Sequence, residues 1–205
     1  SYVQGQLSRA RQKGFSLVEV LVAVAILSLG LLGAVAMQYM ALQDNRSARL
    51  QSVAVGLGRE MAELMRGNNI VAVQTNSAAN PYLGDFSGSP LAPPAAAYCM
   101  SVGRATACSD NTEIARAQVT EWLARVEDQL PGARVEICRD ANPYDAEGLP
   151  KWGCASSSVA NPTVFIKIGW THMSTNAALP ADRRLVKAGD DAPFVVIPVT
   201  PSRAD

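Results

Sequence analysis

The sequence predicts an α+β fold: one long N-terminal α-helix, half membrane-spanning and half amphipathic, packed on a head built around a small antiparallel β-sheet. Three observations predict it. Residues 15–37 form an apolar run with a single charge, directly behind a short basic segment. Helical periodicity then continues to about Arg66, and no proline interrupts it before Pro81. In the remainder, short alternating stretches stand between turn-rich segments, which is the pattern of short strands.

With 205 residues, 48% of them apolar, the chain can build one packed domain plus extensions and is no disordered polymer. Its 18 basic and 18 acidic side chains leave no excess of positive charge to neutralise phosphates, so no nucleic-acid partner is expected. The charge is distributed unevenly. Arg9, Arg11 and Lys13 lie before residue 15 with no acid among them, Glu19 is the only charge from 15 to 37, and residues 68–205 hold 11 bases against 14 acids.

The run from Phe15 to Met37 reads as one membrane span, because ~20 apolar residues in a helix cross the hydrocarbon layer. A buried core helix is the alternative, but the run is apolar all round rather than along one stripe, which favours the span. The basic residues before it place the N-terminus in the cytoplasm and everything after about residue 40 outside. A secretory signal cleaved near Ala34 or Ala36 is the competing reading; the run is longer than an ordinary signal core, and helix continues after it. Gly14 marks the junction of basic tag and apolar helix, and a glycine there opens the backbone to a protease at the membrane surface. Glu19 needs a reason, since an ionised carboxylate in hydrocarbon costs a few kcal/mol. Cleavage between Gly14 and Phe15 would create a cationic α-amine one turn away as its partner; alternatively Glu19 snorkels to the nearby interface.

Leu50, Val53, Leu57, Met61 and Leu64 give the second half of the helix, residues 38–67, an apolar stripe opposite Arg46, Arg49, Arg59, Glu60, Glu63 and Arg66. Gly67-Asn68-Asn69 is the expected stop. Residues 70–98, rich in Ala, Asn, Ser, Gly and Pro, read as loop. Thr112 is the expected cap of a helix to Leu130 whose apolar face is Ala115, Val119, Trp122, Leu123, Val126 and Leu130. Strands are expected around Val135 to Cys138, Val164 to Trp170 and Phe194 to Val199.

Cys99, Cys108, Cys138 and Cys154 all fall in the part placed outside the cytoplasm, where disulfides persist. Three pairings are possible; nearest-neighbour pairing, which closes two local loops, is the expected one. A zinc site is disfavoured by the spacing and by His172 being the sole histidine, so no metal and no cofactor are expected. Asp140, Asp145 and Glu147, or Asp190 and Asp191, could hold calcium but read better as solvated turn residues. No nucleophile elbow accompanies His172, which is read as a solvent-exposed strand end, so no enzymatic activity is expected. Trp122 and Trp170 fit core faces rather than a ligand platform with Trp152.

Gly14-Phe15-Ser16-Leu17-Val18-Glu19-Val20, after basic residues and before an apolar helix, resembles the class III leader of type IV pilins and their relatives. The resemblance implies a leader of residues 1–14, removed by a prepilin peptidase after Gly14, and N-methylation of Phe15. It also implies that Glu19 neutralises the N-terminal charge of a neighbouring subunit during assembly. Major pilins often carry a proline in the membrane half of the helix; here Gly30 and Gly33 stand there instead. The run from Ala54 to Asn68, with Tyr98-Cys99, Leu130-Pro131-Gly132, Cys138-Arg139-Asp140 and Gly169-Trp170, is similar to the PilV group of minor pilins. That likeness implies a pilin-like fold with residues 15–37 as transmembrane and assembly helix and 68–205 as a periplasmic or extracellular head. Its implied partners are other minor and major pilins and the assembly platform of the inner membrane, with priming of pilus assembly, a tip position and final delivery to the cell surface as the role. A pseudopilin of type II secretion shares the leader and helix and is the nearest alternative; a membrane-anchored enzyme or sensor is a more distant one.

Overall fold

The computed structural model describes residues 14, 16–103, 106–155, 163–174, 180, 185–189 and 192–200. Helix α1 runs from Leu17 to Gly67, opening on the Ser16 carbonyl, which accepts from the Glu19 and Val20 amides at 3.0 and 3.2 Å. By internal contacts the chain forms two units, Ser1–Arg46 and Ser47–Asp205. In the first, every described residue is exposed, including Leu17, Leu21, Ile26, Leu27, Leu31 and Leu32.

In the second unit, α1 contributes Ala54, Leu57, Gly58, Met61, Ala62 and Met65 to the core. All five residues of the expected stripe reach the core, Leu57 and Met61 buried within it and Leu50, Val53 and Leu64 half-buried at its flanks. The centre of the buried face, which the stripe does not name, is made of small residues, Ala54, Gly58 and Ala62. A Cβ on Gly58 would collide with Ile197 Cδ1 and come within 3.4 Å of Ile168 Cδ1, so the sheet packs closest where α1 has no side chain. Helix α1 ends at the expected glycine, and Asn68 Nδ2 donates to Asn111 O at 2.7 Å, tying that end to the start of the next long helix.

Residues 70–98 are not all loop. A short helix α2, Asn69–Ala72, and a three-residue strand β1, Gly84–Phe86, interrupt them. Helix α3 spans Asn111–Gln129 and is capped by Asp110, not Thr112: Asp110 Oδ1 accepts from Glu113 N at 2.8 Å. Glu113 in turn accepts from Ser109 N at 2.6 Å, and that bond holds its carboxyl below the ordinary range. The buried face of α3 includes the expected Ala115, Val119, Trp122, Leu123 and Val126, and Leu130 beyond its end is buried too. Trp122 Nε1 donates to Leu57 O of α1 at 2.9 Å, satisfying a polar group that burial would otherwise strand. Arg125 pairs with Glu60 alongside it. Tyr82 fills the same core, its hydroxyl donating to Gln118; burial pushes that hydroxyl up to about 12, against a hydrogen bond with Asn68 that lowers it.

Strands β2 (Arg134–Arg139), β3 (Val164–Gly169) and β6 (Val195–Val199) are the expected three. With β1 they make an antiparallel sheet in the order β1-β2-β3-β6. Its register pairs Ile137 with Ile166 and Ile166 with Ile197, so these side chains share the core face. Strands β4 (His172–Met173) and β5 (Leu185–Val186) form a separate ribbon that no alternation in the sequence announces. His172 is consequently half-buried at the start of β4, edge-on to the Phe194 ring at 4.6 Å, rather than a free strand end.

Candidate processing and assembly segment

Gly14 is exposed, and among the described residues nothing beyond its chain neighbours lies within 4 Å of where a Cβ would stand. Phe15, the expected new N-terminus and methylation site, and the basic residues Arg9, Arg11 and Lys13 lie outside the described residues. Glu19 sits in the first turn of α1, exposed, four positions after residue 15 in the sequence. Between Gly14 and Asp44 the sequence holds no other Asp, Glu, Lys, Arg or His.

The apolar side chains from Leu17 to Leu42 are exposed. So extensive an apolar surface needs lipid or the helices of other subunits around it, and the helix is long and apolar enough to cross a membrane. Within it Ser28 Oγ donates its hydroxyl to Ala25 O at 2.9 Å, which satisfies that polar group without a partner chain. Apart from its chain neighbours and its own helix backbone, a Cβ placed on Gly30 or Gly33 would meet nothing within 4 Å among the described residues.

The four cysteines form the nearest-neighbour disulfides, Cys99–Cys108 and Cys138–Cys154. Glu136, Cys138 and Cys154 offer a carboxylate and two sulfurs within 4.8 Å of one another, but both sulfurs belong to one disulfide and supply no thiolate. Asp140, one of the loop acids weighed as calcium ligands, is instead enclosed with Lys167: Nζ donates to Asp140 Oδ2 at 2.6 Å, and both side chains are fully buried. Asp145 accepts from Glu147 N and Leu149 N, closing its own turn. Asp190 and Asp191 lie outside the described residues. Trp122 and Trp170 are core residues, while Trp152 lies against Gly169 and beneath the Arg134 guanidinium, 4.4 Å from its ring centre.

A family model described as the prokaryotic N-terminal methylation motif matches residues 9–35, which hold the basic tag, Gly14, Phe15, Glu19 and most of the apolar run. Comparison with curated proteins and with solved structures gave no match. The motif implies processing by a prepilin peptidase and assembly with other pilins, and the apolar helix fits membrane anchoring. Residues 9–35 thus carry a prepilin-type leader and the start of its helix, a combination that supports a type IV pilin or a pseudopilin.

Proposed function

We propose that this chain is a minor pilin of a type IV pilus, akin to the PilV group, that joins other minor pilins at the inner membrane and primes pilus assembly from the tip. The observation that carries the proposal is the lone Glu19 in the first turn of an otherwise apolar, fully exposed helix segment, within the matched methylation motif. Prepilin peptidase cuts after Gly14 and Phe15 is methylated on its new amine. The span, residues 15–37, then holds the subunit in the inner membrane with the N-terminus cytoplasmic and the head, residues 68–205, in the periplasm. In the filament, Glu19 meets the amine of a neighbouring subunit, and the surrounding helices replace lipid as apolar cover. Lipid and protein are nearly equivalent for the apolar side chains, so extraction is opposed chiefly by the polar groups, and the charge match removes the main opposition.

The pilus reading is separated from the pseudopilin one by phenotype. Deleting the chain is expected to abolish or sharply reduce surface pili while protein secretion continues. Intact piliation with failed secretion of folded substrates would assign it to a type II secretion system instead.

A further inference from the structure

The segment 140–155 lies across the face of the sheet opposite α1, and two separate devices close it. One is the Cys138–Cys154 disulfide. The other is non-covalent and centres on Lys167 of β3, a lysine in the middle of an apolar strand. Its Nζ donates at 2.6 Å both to Asp140 Oδ2, at the start of the segment, and to Gly153 O, near its end. The other Asp140 oxygen accepts from Asn142 N at 2.9 Å and from Ala155 N at 3.1 Å, so one carboxylate also touches both ends. Glu136, the cross-strand neighbour of Lys167, accepts from Gly153 N at 2.8 Å. Asp140 N donates to Thr163 O at 3.0 Å, fixing the entry.

We propose that this Lys167–Asp140 clasp, and not the disulfide, closes segment 140–155 over the sheet, so that the strap adopts its shape before the cysteines are oxidised. The ion pair at its centre is excluded from water and each charge is also held by neighbouring groups, so removing one partner alone strands the other in a dry site. Opening the disulfide alone exposes no charge and leaves all six hydrogen bonds in place. A disulfide acts mainly by restricting the unfolded chain, whereas the clasp acts on the folded strap itself. The oxidation therefore seals a loop already formed, and a head delivered outside the cytoplasm keeps its outer sheet face covered while still reduced.

The test is amide hydrogen exchange on the full-length protein in detergent, read at Asn142, Gly153 and Ala155. In the double variant Cys138→Ser/Cys154→Ser these amides are expected to keep protection within about tenfold of the parent, as local opening is governed by the bonds broken. In Lys167→Met with the disulfide intact, the same amides are expected to exchange at least about 100-fold faster. The reverse pattern, with protection lost in the cysteine variant and kept in Lys167→Met, would overturn the proposal. Should Lys167→Met not fold, loss of protection in the cysteine variant alone would still overturn it, and retained protection there would support it.

Discussion

Glu19→Ala is expected to leave membrane insertion and leader removal intact while lowering incorporation into surface pili by about 100-fold. The magnitude follows from the charge left behind. An α-amine brought into a bundle of apolar helices without a carboxylate costs at least about 3 kcal/mol, and each 1.4 kcal/mol is a factor of ten in an assembly equilibrium. Glu19→Asp, which keeps the charge on a shorter side chain, is expected to assemble partially, and Glu19→Gln to resemble alanine. The measurement is the ratio of this subunit in sheared surface pili to that in membranes, in cells where the variant is the only copy. Normal incorporation of Glu19→Ala would show that the carboxylate serves only the helix entrance, near the interface.

The second large effect concerns the stability of the head. Lys167→Met removes the cation from a fully enclosed pair and is expected to cost about 3–5 kcal/mol, the usual penalty for stranding a buried charge. Replacing both partners, Lys167→Met with Asp140→Leu, is expected to recover part of that loss, since an apolar pair needs no solvation. The pH dependence has a definite sign. Burial pushes the Asp140 carboxyl up, but bonds from Lys167, Asn142 and Ala155 outweigh it and hold the group below the ordinary carboxylate range. A depressed folded-state value means the contribution is present above about pH 4 and is lost as pH falls through that lower value. In Lys167→Met the buried carboxyl loses the cation that lowered it, so the gap to the parent should start to narrow above about pH 4 and narrow further below it, as chemical denaturation at a series of pH values measures.

The parts of this fold that are legible in the sequence are those with long-range periodicity. The absence of proline through residue 80 and the continuous helical pattern specify α1, and the spacing of Ala115, Val119, Trp122 and Val126 specifies α3. Alternation suffices for β2 and β3 because each has six residues. Strand β1 is too short to alternate, and its place is set by Phe86 entering the core and pairing opposite Val135. The ribbon of β4 and β5 is shorter still, with two residues in each strand. Periodicity finds the large residues of the α1 stripe but passes over Ala54, Gly58 and Ala62 at its centre, because small residues signal burial weakly although closest approach needs them. Thr112 and Asp110 are both good caps, and only the Asp110 bond to Glu113 N decides between them. The Asp140–Lys167 pairing spans 27 positions and has no local signature beyond a lysine amid Val164, Phe165, Ile166 and Ile168.

At the N-terminus the position is inverted. Gly14, Phe15 and Glu19 form a signal in sequence, whereas the fold of one chain adds only that the helix begins at Leu17 and stands uncovered. In the proposed assembly the partner of Glu19 is an amine created by proteolysis on another subunit, which one chain's fold does not contain.

Processing at Gly14 is tested most directly by intact mass and N-terminal fragment analysis of the polypeptide extracted from membranes of the native host. The expected species is a chain lacking residues 1–14 that begins with monomethylated Phe15. A mature chain still carrying Arg9, Arg11 and Lys13, with an unmethylated Phe15 inside it, would contradict the assignment.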